Sequence, residues 1–213
     1  GREPEKKAFA SFLQQEGLKL NILILTGSET AQAQLSEAYR MLGERQRGEL
    51  KLAVSGWGDP EASDLAPDLE RKLAAADLTL LDAHGAPRAA VGRIAARLRA
   101  GAAFVVPIGS DASDIRSLLR LGRLTAADLP EAPVPGAEAP SAPKAPGLQA
   151  DYACYVRMTE YWRGGGAHNL FGLLCLAGRT YGACGTLPEP ADPALVRELC
   201  LFEPDDRTVY PSW

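Results

Sequence analysis

The sequence has only two histidines and four cysteines among its 213 residues, which leaves little material for a metal site. No two cysteines form a C-x-x-C pair, and this argues against the commonest kind of zinc site. We therefore expect free, buried thiols in a protein of a reducing compartment. The four residues are Cys154, Cys175, Cys184 and Cys200.

Three other features that the sequence lacks exclude classes of partner. Acidic residues outnumber basic ones by 27 to 23, so no basic stripe is available to neutralise the phosphates of nucleic acid. No apolar run approaches the roughly 20 residues of a membrane-spanning helix. The first residues lack the apolar core of a signal peptide. We expect a cytoplasmic piece of a larger protein that binds neither nucleic acid nor membrane.

Two nucleotide-binding motifs are also missing. The sequence contains neither the dinucleotide fingerprint G-x-G-x-x-G nor a phosphate loop that ends in Gly-Lys-Ser/Thr. Thr26, Gly27 and Ser28 do lie between a predicted strand and a predicted helix, where backbone N–H groups can face an anion. We interpret this stretch as a structural turn, with an anion site as the alternative.

Residues 18–128 contain an alternation of apolar runs and helical patterns, which indicates an α/β domain. Such alternation predicts a parallel sheet with right-handed crossovers, flavodoxin-like or Rossmann-like, with flanking helices. Strands are predicted at 20–25, 50–54, 78–82 and 104–108, and helices at 28–42, 65–75, 88–99 and 111–121.

The composition changes at residues 129–148, where proline, alanine and glycine dominate without a period. This stretch is typical of a linker. Residues 149–213 are predicted to be a small helical segment with an extended tail. Within that segment, three glycines at 164–166 separate two helices. Short helices are also predicted at 5–17 and at about 193–200.

Polar residues follow three of the predicted strands. In an open parallel sheet, ligands bind beyond the carboxyl ends of the strands. We therefore expect Ser28, His84 and Ser110 to converge on one rim, with Arg88 at the start of the helix after His84. No nucleophile–base pair is visible, so the sequence assigns neither a catalytic residue nor a metal ligand.

The glycine break places His168 and Asn169 near the start of the second helix. From the residues alone it is interpreted as a plain hinge. Helix N–H groups facing a carboxylate, or His168 reaching a metal, are the alternatives. An aromatic stripe nearby is expected to pack in the core, although it could stack on a flat ligand. Its members are Tyr152, Tyr155, Tyr161, Trp162 and Phe171.

Four segments follow one another in an order that is informative. They are ILILTGSET at 22–30, AAADLTLLDAHG at 74–85, FVVPIGSDASDIRSLLRLGRLT at 104–125 and YWRGGGAHNLFGLL at 161–174. This series resembles the amino-terminal part of the large subunit of cobaltochelatase and, more distantly, that of magnesium chelatase. His168 stands where this family usually has glutamate, and the tail at 208–211 lacks the family's glycine and histidine.

The resemblance implies a function for the parent protein. It would be the large, tetrapyrrole-binding subunit of an ATP-dependent metal chelatase, a ligase that inserts cobalt into a corrin ring in cobalamin biosynthesis. Its complex would use ATP, Mg²⁺ and cobalt, with ATPase-type subunits and the rest of the large subunit as partners. The isolated piece would be inactive. Its candidate ligand-binding residues are Ser28, His84, Arg88, Ser110, His168 and Asn169. The alternative is a non-catalytic protein-interaction module or a ligand-binding module, including one for a phosphate-bearing ligand.

Overall fold

A mixed six-stranded sheet forms the centre of the molecule. The computed structural model describes residues 19–109, 112–129, 147–182 and 184–194, and only the backbone of 201–203 and 208–210. The sheet order is β2-β1-β3-β4-β5-β6, with the first four strands parallel and the last two antiparallel. The strands are β1 Leu20–Thr26, β2 Leu50–Ser55, β3 Leu78–Asp82, β4 Phe104–Pro107, β5 Arg120–Leu121 and β6 Leu124–Thr125.

Helices cover both faces of this sheet and confirm the α/β fold class. A separate pair of antiparallel strands, β7 Leu201–Glu203 and β8 Thr208–Tyr210, lies near the carboxyl terminus. The predicted helix at 5–17, residues 130–146 of the linker and residues 195–200 lie outside the described residues. The helices are α1 Glu29–Met41, α2 Glu44–Glu49, α3 Pro67–Ala75, α4 Arg88–Ala100, α5 Ser113–Arg116, α6 Leu148–Gly164 and α7 Gly166–Tyr181.

The apolar run of β1 is buried on both sides, as expected for a central parallel strand. Ile22 and Ile24 belong to the cluster formed with α1, α6 and α7. Leu23 and Leu25 belong to the cluster on the opposite face, formed with α3 and α4. Alternate residues therefore face opposite layers, because successive side chains of a strand point to opposite faces.

The strand order reverses between β1 and β3, which makes their carboxyl ends the switch point of the sheet. From β1 the chain moves to β2 on one side, then crosses back to β3 and on to β4. The two strands pair in parallel and bring Thr26 opposite Asp82. This juxtaposition positions the candidate site described below.

The predicted helix at 111–121 is confirmed at Ser113–Arg116 and is wrong beyond Arg116. The structure has only the short helix α5, followed by the hairpin β5–β6, in which Leu121 pairs with Leu124. Gly122 has φ of +61° in the two-residue loop, a conformation that hairpin turns require and glycine adopts without strain. Leu119, Leu121 and Leu124 are all buried, so the sheet edge accommodates them better than a surface helix would.

The predicted helix–glycine–helix segment is confirmed as α6 and α7, which meet at Gly165. These helices share one hydrophobic cluster with α1 and the sheet. Met158 and Tyr161 are fully buried in it, and Tyr152, Tyr155 and Trp162 pack against it, as the core interpretation predicted. The domain boundaries at 129 and 148 stay a prediction.

Candidate functional site at the carboxyl edge of the sheet

A buried carboxylate, Asp82, lies at the switch point. Asp82 is the last residue of β3. Its Oδ2 accepts a hydrogen bond of 2.7 Å from Oγ1 of Thr26, the last residue of β1. Asp82 is 4% exposed and Thr26 is fully buried. A buried carboxylate is costly unless hydrogen bonds replace its lost hydration, so these partners are what keep it there.

His84 is the exposed partner of this carboxylate. Its Nδ1 lies 3.0 Å from Oδ1 of Asp82, and its backbone N–H donates to the same oxygen at 3.4 Å. The side chain of His84 is 80% exposed, whereas that of Asp82 is 6% exposed. One side of the imidazole ring is thus fixed to the protein while the other faces solvent.

Two further residues hold Asp82 in place. Nε1 of Trp57 donates to the backbone oxygen of Asp82 at 2.9 Å, and the indole is buried. A Cβ at Gly109, just after β4, would lie 2.8 Å from Cγ of Asp82. The ligand candidates chosen from the sequence include none of Thr26, Asp82, Trp57 and Gly109, although Thr26 belongs to the turn considered as an anion site. The signal for Thr26 and Asp82 was that each is a polar residue at the end of an apolar strand.

The loops after β1 and β3 lie side by side, since a Cβ at Gly27 would be 3.9 Å from the backbone oxygen of His84. Ser28 caps α1, and its Oγ accepts from the backbone N–H of Ala31 at 3.2 Å. Arg88 is exposed at the first position of α4. Ser110 lies outside the described residues.

His168 and Asn169 lie on a different element, in the first turn of α7. His168 is exposed in the first turn of α7. Asn169 is 7% exposed, and its amide forms two hydrogen bonds with the backbone of Ala194, as donor at 2.8 Å and acceptor at 2.9 Å. Oε1 of Gln34, rather than either candidate, accepts from the N–H of Gly166. Among the described residues, no hydrogen bond or ion pair links His168 or Asn169 to the rim, by which we mean the loops after β1 and β3 at the carboxyl edge of the sheet.

Asn169 is one of several side chains that hold residues 184–194, which we call the strap, across α6 and α7. Arg179 donates to the oxygen of Leu187 at 2.7 Å, and Arg157 donates to the oxygen of Pro190 at 2.8 Å. The hydroxyl of Tyr161 donates to the oxygen of Ala191. The amide of Asn169 therefore has a structural contact that the sequence did not predict.

Three cysteines are free and buried, as predicted: Cys154, Cys175 and Cys184. Cys200 lies outside the described residues. Burial raises the pKa of Cys175 and of Cys184 to about 11, so both are protonated and poor nucleophiles at neutral pH. Burial also raises the pKa of the Tyr181 hydroxyl, with Cys154 and Asp151 as smaller causes. These groups have the properties of core residues.

The described residues set limits on the chemistry. They contain no group of three or more His, Cys, Asp or Glu side chains placed to hold a metal ion. Within the same part of the chain, no hydroxyl or thiol hydrogen-bonds to the His84 ring. No helix described there is long and apolar enough to cross a membrane.

No family model matches the chain, and no curated protein matches its sequence. Among solved structures, the chain is similar to the catalytic subunit of cobaltochelatase from Mycobacterium tuberculosis, with a TM-score of 0.43 and 15% sequence identity. The similarity covers 88% of this chain and 12% of that one, so the chain spans a small part of that neighbour's length. A likeness of this degree does not establish a shared function.

Proposed function

We propose that this chain is the amino-terminal part of the large, tetrapyrrole-binding subunit of a metal chelatase, most simply one that inserts cobalt into a corrin ring. The position of the chelatase-like segments supports the proposal. Residues 22–30, 74–85 and 104–125 are distant in sequence, yet they supply the adjacent strands β1, β3 and β4. Three of the four chelatase-like segments therefore meet at one edge of the sheet, where a common ligand site would lie.

The chemistry of this edge suits a flat ring with peripheral carboxylates. The helices α1 and α4 begin just after β1 and β3, so their positive N-terminal ends lie at the carboxyl edge. Arg88 is exposed in the first turn of α4, and a guanidinium can bind a carboxylate through two hydrogen bonds. ATP, Mg²⁺ and the ATPase-type subunits would act on the parent complex, and we expect this piece to be inactive alone.

Titration with a metal-free, water-soluble tetracarboxylate porphyrin tests the ring-binding part of the proposal. We expect a saturable change in the absorbance bands of the porphyrin. Arg88→Ala is expected to weaken binding by up to about fivefold, since an exposed charge pair contributes up to ~1 kcal/mol. Arg99→Ala, at the exposed far end of the same helix, is the matched control and is expected to leave binding unchanged.

Absence of any spectral change up to high micromolar porphyrin would contradict ring binding by this chain. The gene provides a second test. The proposal requires a reading frame that continues well past residue 213 into a subunit several times longer. A frame that ends near Trp213 would rule out the chelatase-subunit assignment.

The second candidate function is a docking module that contacts another subunit. It is favoured by the absence, among the described residues, of a three-ligand metal group and of a nucleophile–base pair. A phosphate-binding role has less support, because two backbone N–H groups of this turn are already bonded, that of Ser28 to Oγ1 of Thr26 and that of Ala31 to Oγ of Ser28. If phosphate stabilises the chain against heat, Ser28→Ala should abolish that effect, and an unchanged effect would reject this role.

A further inference from the structure

The Asp82–His84 pair carries an inference about which ring the rim recognises. When Asp82 is ionised, its carboxylate can only accept hydrogen bonds, and the Nδ1 of His84, 3.0 Å away, is then the donor. In the neutral imidazole with that tautomer, Nε2 holds a lone pair. Because the side chain of His84 is 80% exposed, this lone pair faces solvent.

Asp82, which contacts the His84 imidazole, is itself held in place by several contacts. Asp82 is buried, its second carboxylate oxygen is bonded to Thr26, and its backbone oxygen accepts from Trp57. The carboxylate also fills the space beside Gly109, where a Cβ would lie 2.8 Å from Cγ of Asp82. A carboxylate behind a histidine orients the ring and increases its basicity in metal sites. Here the described residues place no group of three or more potential metal ligands around it.

A single imidazole cannot hold a bare divalent ion, which needs about four or more ligands. One nitrogen is sufficient when four ring nitrogens already surround the metal and one axial position is open. An exposed donor at the edge of a sheet is also accessible to a flat molecule, whereas a donor inside a narrow cavity is not.

We propose that Nε2 of His84 is an axial ligand for the metal of a metallated tetrapyrrole, so that the rim distinguishes the metallated ring from the empty one. The inference rests on the proposed function and names the species that this site prefers. The imidazole lone pair forms the nitrogen–metal bond as an axial water leaves, and no electron is transferred. A metal-free ring offers no such acceptor.

The chain contains its own control, because His168 is the only other histidine in the sequence. It is also exposed, but no carboxylate among the described residues hydrogen-bonds to it. If exposure alone decided metal-ring binding, the two histidines would contribute equally. If orientation by Asp82 matters, His84 dominates.

The test uses one water-soluble porphyrin in its cobalt(III) and metal-free forms, titrated into the 213-residue chain. We expect the cobalt form to show the band shift of an imidazole replacing water. His84→Ala should abolish that shift, and His168→Ala should preserve it. Asp82→Asn should weaken cobalt-ring affinity by about tenfold or more, the usual effect of losing such a support. Circular dichroism checks that each variant is folded. If Asp82→Asn does not fold, the result for His84→Ala alone tests the proposal.

Three results separate the two proposals. A shift that persists in His84→Ala, or is lost equally in both histidine variants, overturns the axial-ligand inference. If both ring forms bind equally to every variant, ring binding stands and the inference fails. If neither form binds, the ring-binding role and the inference fail together.

Discussion

At the scale of single residues, glycine is required at position 109 because the Asp82 carboxylate occupies the space where a Cβ at this position would lie. The carboxylate cannot move away cheaply, since it is short, buried and bonded to Thr26 and His84. Gly27, in the adjacent loop, has no such constraint: the nearest atom to its Cβ position is 3.9 Å away. The two glycines therefore differ in what they tolerate.

We predict that Gly109→Ala destabilises the protein by about 1–3 kcal/mol, the usual cost of forcing atoms into filled space. Gly27→Ala is expected to change stability by less than about 0.5 kcal/mol, as most exposed substitutions do. Urea unfolding followed by tryptophan fluorescence measures both. Equal stability of the two variants would show that Asp82 is not held as described.

The buried thiols give a prediction about alkaline pH. The pKa of Cys175 is raised from an ordinary value of 9.0 to about 11, so the folded state holds its proton where the unfolded state releases it. Stability should therefore be constant below about pH 9 and fall between pH 9 and 11. Cys175→Ala should reduce this slope in urea midpoints measured from pH 8 to 10.5.

Leu176→Ala is the control, since it removes volume at the next position of the same helix without removing a titrating group. It is expected to lower the midpoint equally at each pH. A Cys175→Ala variant with the slope of the parent protein would contradict the prediction. The slope is the readout because the raised pKa values of Cys184, Tyr161 and Tyr181 affect both variants alike.

At the scale of elements, the strap and the helices α6 and α7 are held together by side chains that bind backbone groups. Asn169 provides two of these bonds, both to Ala194, and its neighbour His168 provides none. We predict that Asn169→Ala lowers stability by about 1–3 kcal/mol, because two part-buried hydrogen bonds to the backbone of Ala194 are lost, each contributing about 0.5–1.5 kcal/mol. Hydrogen exchange in the strap should also become faster.

His168→Ala is the matched control, and it should leave strap exchange unchanged. Native-state hydrogen exchange analysed by mass spectrometry distinguishes the two variants. Equal protection of the strap in both would mean that Asn169 does not hold it. This outcome would return Asn169 to the set of ligand candidates at the start of α7.

The elements show where sequence reasoning succeeds and where it fails. The strands β1 to β4 and most helices follow from local patterns, since a continuous apolar run or a helical period is visible in a short window. The hairpin β5–β6 does not follow, because RSLLRLGRLT is equally compatible with a leucine-rich helix. The exposed edge of β4 and the φ of Gly122 favour the hairpin, and both depend on tertiary structure.

At the scale of the whole molecule, two hydrophobic clusters lie on opposite faces of one sheet. The helices α6 and α7 belong to one of these clusters although they follow the proline-rich stretch. We predict a single unfolding transition in urea, with coincident curves from far-UV circular dichroism and tryptophan fluorescence. Two separate transitions would instead support an independent helical domain after residue 148.

The sequence by itself determined the α/β alternation, the buried central strand, the loops at Ser28 and His84 and the helix that begins at Arg88, because these depend on residues close together in the chain. Tertiary structure alone decided what His84 contacts and what supports it. Thr26 and Asp82 are 56 positions apart and meet only through the register of β1 and β3. No local pattern encodes that register, since it arises from crossovers that pack helices on both faces of the sheet.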